Sequence, residues 1–225
     1  MKYSGMEFEL WPLGDSAVLL RLGTHTQPRV NADVHRAVAA LRAALLPGVS
    51  AIAPGHACLL LTLDLPALLR AGGSSALAGR VRALLATLAA DAPSPSRLVE
   101  VPTRYGGDDG PDLDAVSQAT GLAPARVVEL HVAGEYRVAA IGFRPGFPYL
   151  LELPEALRLP RRSSVRPRVA AGSVAIAGAQ TGIYPGESPG GWHLLGRTEL
   201  ALFDPSRSPP SLLLPGDRVR FVAVT

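Results

Sequence analysis

Hydrophobic positions change their spacing several times along the chain, and each change marks an element. Residues 7–11 and 16–22 read as two short strands joined by the turn Pro12-Leu13-Gly14-Asp15. Val18, Leu20 and Leu22 share one face at period two. From Pro28 to Leu46 the spacing becomes three or four. Val30, Val34, Val38, Leu41 and Leu45 form the stripe of an amphipathic helix, which Pro47-Gly48 ends. Strands follow at Val49–Ala53 and Ala57–Leu63. A second helix at Ser75–Ala90 aligns Leu77, Val81, Leu84 and Leu88. The first 95 residues therefore predict β-β-α-β-β-α, an α+β sandwich with helices on one side of a sheet.

Asp91-Ala92-Pro93-Ser94-Pro95-Ser96 reads as a linker, because proline and small polar residues resist both helix and sheet. Residues 96–225 then predict a second domain. It opens with the strand Leu98–Pro102, the turn Tyr105–Gly110, and helices at Asp112–Thr120 and Pro124–Ala133. Beyond Glu135 the pattern is short strands broken by glycine and proline, the mark of a barrel or sandwich.

Composition narrows the chemistry. Lys2 is the sole lysine, so a Walker-type phosphate loop, a protein-kinase site and a Schiff-base enzyme are excluded. The single cysteine, Cys58, excludes an internal disulfide and a cysteine-based zinc site. Its place in HACLLLTL predicts a buried structural thiol. His25, His35, His56, His131 and His193 show no metal-ligand spacing, so no metal is expected. His131 falls near a helix end, where a structural histidine is expected. No segment has the length of a signal peptide or membrane span, which predicts a cytoplasmic protein with no membrane partner. Hydrophobic residues at 48% and a net charge of +3 predict a folded chain rather than a nucleic-acid binder.

Four segments carry candidate chemistry. Gly172–Arg197, GSVAIAGAQTGIYPGESPGGWHLLGR, is dense in glycine, which lets the backbone turn sharply and offer N–H groups to a ligand. The same stretch reads equally as tight barrel turns. Within it, Gly186-Glu187-Ser188-Pro189-Gly190 matches a serine-hydrolase elbow. Pro189, however, lacks the N–H that the elbow uses as an oxyanion donor, so Ser188 is not expected to be a nucleophile. GFRPGFPYL at 142–150 reads as a rigid apolar loop and a pocket wall. The five arginines between Arg158 and Arg168 suit either a solvated face or a strip for an anion or partner. YGGDDGPD at 105–112 reads first as turn and helix-cap chemistry, with Asp108 and Asp109 as an acid/base the alternative.

In this order these segments resemble the family of the 5-oxoprolinase B subunit, also described as the Kip-type histidine-kinase inhibitor and as allophanate hydrolase subunit 1. The resemblance is carried by YGGDDGPDL, LHVAGEYRVAAIGFRPGFPYL, PRRSSVRPRVAAGSVAIAGAQTGIYPGESPGGWHLLGRTEL and LFDPSRSPPSLLLPGDRVRF. Together they span nearly all of Val99–Val222. PLGDSAVLLRLG and LPGVSAIAPGHACLLL match more loosely. It implies a cyclophilin-like β-barrel after the N-terminal domain. It also implies ATP-dependent opening of 5-oxoproline to glutamate, carried out with a homologous C subunit, plus a separate A subunit. No ATP-binding motif lies in this chain, so ATP is expected to be used by the complex. The rival implications are a regulator of a sensor histidine kinase and an allophanate-degrading subunit. For a small acidic or amide substrate, Gln180, Thr181, Tyr184 and His193 are the expected orienting groups, with Arg197 or Arg144 for developing charge. Gly146, Phe147, Gly178, Gly190, Gly191 and Trp192 are the expected lining.

Overall fold

Local sequence chemistry accounts for most element boundaries in the computed structural model, which describes residues 7–88 and 96–225. The chain divides into two compact units, Met1–Pro95 and Ser96–Thr225. The expected linker at 91–96 falls, apart from Ser96, outside the described residues, as does the end of the helix expected to reach Ala90.

In the N-terminal unit, β1 (Glu9–Leu13), β2 (Ala17–Arg21), β3 (Val49–Pro54) and β4 (Cys58–Leu63) form an antiparallel sheet in the order β1-β2-β4-β3. Register puts Leu20 opposite Leu59 and Val18 opposite Leu61, so one face is apolar. That face packs on α1 (Pro28–Ala44) and α3 (Gly73–Ala86) through Val34, Val38, Leu41, Leu77, Val81 and Leu85. Asn31 of α1 donates through Nδ2 to the carbonyls of Gly55 and His56, which fixes the β3–β4 turn against the helix.

Two expectations change here. A short helix, α2 (Leu65–Arg70), precedes α3. Asp64 caps it by accepting from the Ala67 N–H at 3.1 Å, and Pro66 fits its first turn. Cys58 is half-buried rather than enclosed, because its register with Arg21 turns it away from the helix-covered face.

The second unit is a closed barrel of seven strands. In barrel order they are β10 (Gln180–Ile183), β7 (Pro148–Leu151), β6 (Tyr136–Ile141), β13 (Arg218–Ala223), β5 (Leu98–Tyr105), β12 (His193–Arg197) and β9 (Ser173–Ala177). The last strand pairs in parallel with the first, Phe221 beside Val101, and closure leaves those seven strands no free edge. The helices α4 (Leu113–Thr120) and α5 (Pro124–Ala133) add Leu113, Val116 and Val127 to the barrel core. A two-stranded sheet of β8 (Arg166–Val169) and β11 (Ser188–Gly190) completes the unit.

Alternation along β9 shows how two clusters form. Val174 and Ile176 enter the core with Leu150, Ile183, Leu195 and Phe221. Ala175 and Ala177 face the other way, into a second cluster with Phe147, Val169, Tyr184, Trp192 and Leu194. The glycine-rich segment therefore lies across a packed outer face of the barrel.

Candidate functional site

The outer face is aromatic at its centre. Phe147 contacts Tyr184, Trp192 and Tyr149 at ring-centroid distances of 5.2, 5.7 and 5.0 Å, and Tyr149 lies 6.1 Å from Trp192. Two glycines make this packing possible. A Cβ at Gly182 would meet both Phe147 and Trp192 at 3.1 Å, and one at Gly190 would lie 2.3 Å from the Tyr184 hydroxyl oxygen. Burial raises the pKa of Tyr184 and that of Tyr149, the latter being only half-buried. Gly146, at φ +82°, lets the loop before Phe147 pass Phe203, whose Cβ a side chain there would strike at 2.7 Å.

The arginine strip belongs to this face. The Gly178 N–H donates to the Leu159 carbonyl at 2.6 Å, and the Arg162 N–H donates to the Gly191 carbonyl at 2.9 Å. His193 Nε2 donates to the Pro160 carbonyl at 2.9 Å, and its Nδ1 is enclosed and without a partner among the described residues. Residues 159–162 are thus stitched along Gly178, Gly191 and His193.

Asp112 anchors the strip from the other side. Its buried carboxylate accepts from Arg162 (2.7 Å), from both terminal nitrogens of Arg166 (2.8 and 2.7 Å), and from the Leu194 N–H (2.7 Å). Burial by itself raises its pKa, but the hydrogen bonds from Arg166 and Leu194 and the two guanidinium charges outweigh it. The carboxyl is held below the ordinary range. The cap role expected for this segment is not what the side chain does. Asp112 precedes α4 yet makes no side-chain cap bond.

The candidate residues separate into groups. Phe147, Tyr184, Gly190, Gly191, Trp192 and His193 gather on the outer face. Gln180 pairs with Ala177 and so projects on the same side. Thr181 points the opposite way. It is fully buried, and its hydroxyl donates to the Ala175 carbonyl at 3.0 Å and accepts from His131 Nε2 at 2.9 Å. His131 Nδ1 in turn accepts from the Tyr105 hydroxyl at 2.7 Å, and burial pushes its pKa down to about 3. Thr181 is part of a polar chain inside the core rather than an orienting group, because period-two alternation sends it inward.

Arg197 pairs with Ser173 at the far end of β9, whose five residues span roughly 13 Å. Its Nε donates to the Ala171 carbonyl. Arg144 donates to the Glu187 carbonyl at 2.8 Å, tying the 142–150 loop to the glycine-rich segment. The expected open row of backbone donors is also altered. The N–H groups of Gly172 and Gly178 are taken by the Tyr184 and Leu159 carbonyls. Ser188 lies on the short strand β11, its buried Oγ without a partner, and not at a strand-to-helix elbow. Asp109 accepts from Arg104 Nε at 2.8 Å, as a turn residue does.

Among the described residues no cluster of histidine, cysteine and carboxylate could hold a metal. No helix there is long and apolar enough to cross a membrane. A cavity of about 540 Å³ lies in the N-terminal unit, lined by Phe8, Glu9, Arg21, Thr24 and Arg82. Sequence reasoning included Asp112 in the YGGDDGPD turn and Tyr149 in the 142–150 pocket-wall loop, but singled out neither side chain as a member of the site. The density of arginines at 158–168 was a further signal.

Comparisons with known proteins agree with this architecture. Residues 8–213 match the family "Carboxyltransferase domain, subdomain C and D". The 5-oxoprolinase B subunit of Bacillus subtilis is 41% identical over 98% of this chain and 94% of its own length. Among solved structures, the protein TTHA0988 superposes with a TM-score of 0.80 at 42% identity, covering 93% of this chain. This chain spans only 40% of that longer one. The urea amidolyase of K. lactis, at 20% identity, shares the fold with a TM-score of 0.75 over 97% of this chain and 15% of its own. A closed barrel with an aromatic outer face, following a four-stranded α/β unit, matched over nearly the whole length, makes this chain a member of the 5-oxoprolinase B-subunit family.

Proposed function

We propose that this chain is the B subunit of an ATP-dependent 5-oxoprolinase that opens the lactam of 5-oxoproline to glutamate, acting with separate C and A subunits. The observation that carries this reading is the near full-length match to a 5-oxoprolinase B subunit. Three features support it. The outer face combines flat aromatic rings with Gln180 and a basic strip, which suits a small, flat, acidic amide. Sole Lys2 leaves no phosphate loop, so ATP falls to another subunit of the complex. In TTHA0988 this fold is two-fifths of one chain, which is consistent with further polypeptide completing the machinery.

The mechanism asks little covalent chemistry of this subunit. The cytoplasmic complex supplies ATP to activate the lactam carbonyl, and this chain binds and orients the ring. Gln180 offers an amide to the lactam, His193 holds the arginine strip in place, and Phe147, Tyr149, Tyr184 and Trp192 exclude water. The test is co-expression with candidate C and A subunits, followed by glutamate release from 5-oxoproline. Glutamate should appear only with ATP and all three chains. A stable complex that turns over allophanate, or neither compound, would overturn the reading.

A further inference from the structure

Every arginine around the aromatic face is committed except one. Arg162 and Arg166 hold Asp112, and Arg158 donates to the Leu153 carbonyl. Arg168 pairs with Glu187, Arg144 binds the Glu187 carbonyl, and Arg197 binds the Ala171 carbonyl. Arg161 is exposed and, among the described residues, has no hydrogen bond or ion pair.

Its position is nonetheless fixed on both sides. Pro160 is held by His193, and Arg162 by Gly191 and Asp112, so the Arg161 backbone is clamped beside Gly191-Trp192-His193. Its charge acts on the hydroxyl groups of both Tyr149 and Tyr184, in keeping with that backbone position beside Gly191-Trp192-His193. A lone guanidinium on a clamped backbone matches one planar carboxylate in a bidentate fork. A phosphate would require more donors, and the neighbouring arginines and the Gly172 and Gly178 N–H groups are already in use.

We propose that Arg161 is the carboxylate-binding residue of the barrel's outer face, holding the acid group of a small planar monocarboxylate beside the half-buried Tyr149. The choice of 5-oxoproline as probe rests on the function proposed above; the carboxylate preference does not. Binding is read from Trp192 fluorescence in the full chain carrying Trp11→Phe. The probes are 5-oxoproline, 2-pyrrolidinone (the same ring without the acid) and inorganic phosphate.

Arg161→Gln should weaken 5-oxoproline binding on the order of 10- to 100-fold and leave 2-pyrrolidinone unchanged. Arg161→Lys should fall between, and Arg126→Gln, on α5 and paired with Glu129, should match the unmodified chain. Equal binding by Arg161→Gln overturns the proposal. So does a chain that fails to prefer 5-oxoproline over 2-pyrrolidinone, or one that binds phosphate as tightly. In the reconstituted complex Arg161→Gln should raise KM for 5-oxoproline far more than it lowers kcat. A complex without 5-oxoprolinase activity, but with Arg161-dependent carboxylate binding in the isolated chain, would remove the proposed function and leave this site standing.

Discussion

Acidification tests the buried polar chain at the heart of the barrel. The Tyr105 hydroxyl donates to His131 Nδ1, His131 Nε2–H donates to Thr181, and Thr181 donates to the Ala175 carbonyl. With Nδ1 already accepting, the ring is neutral, and a second ring proton would find only a donor. Full burial pushes its pKa down to about 3 from an ordinary 6.5. The unfolded chain therefore binds a proton that the folded chain refuses between these values. The contribution is fully present above pH 6.5 and is lost as pH falls towards 3. The whole interval corresponds to roughly 5 kcal/mol. Between pH 7 and pH 5 the loss is about 2 kcal/mol, which lowers a urea midpoint by about 1 M.

This pH window isolates the effect. Carboxyls held below their ordinary values, such as Asp112 and Glu135, lose their contributions only at lower pH. His56, also lowered, lies in the other unit. The assay is urea unfolding followed by Trp192 fluorescence in a Trp11→Phe background, at pH 7, 6 and 5. His131→Gln keeps a donor towards Thr181 but does not titrate, so its midpoint should change far less over the same range. Equal pH slopes for the two proteins would refute the assignment, as would an NMR titration of the His131 ring near pH 6.5.

Two further outcomes follow from the outer face. Asp112→Asn leaves Arg162 and Arg166 without their shared carboxylate and should cost about 3 kcal/mol at pH 7. Thermal unfolding would show this, and the deficit should shrink below about pH 4, as the unmodified Asp112 protonates and loses its own contribution. Gly190→Ala places a Cβ 2.3 Å from the Tyr184 hydroxyl oxygen and should destabilise by roughly 1–3 kcal/mol. Near-UV circular dichroism should change as Tyr184 moves, and adding Tyr184→Phe should restore part of the loss. Full stability in the single variant would contradict the packing described.

What could be read from sequence was what depends on neighbours a few residues away. The stripe Val34–Val38–Leu41, the alternation Val18–Leu20, and the glycine and proline stops each report a local periodicity. Those elements stand close to where they were expected. The missed helix Leu65–Arg70 was local too, signalled by Asp64 and Pro66, but too short to show a period. The family likeness was legible because long stretches of unusual residues are preserved in order.

The site was legible only in part: Phe147, Tyr184, Trp192 and His193 could be named from their segments, but which side chains meet is settled by barrel closure. Which way Thr181 points depends on the parity of β10 against β9, and a shift of one residue would have exchanged its place with that of Gly182. Asp112 meets Arg162 and Arg166 across some fifty residues of chain, a contact no local pattern encodes. Nor does sequence spacing distinguish Arg161, which has no partner among the described residues, from its paired neighbours in the strip. Local spacing determined the elements. Strand register and long-range ion pairing, which are properties of the closed barrel, decided which side chains became core and which became surface.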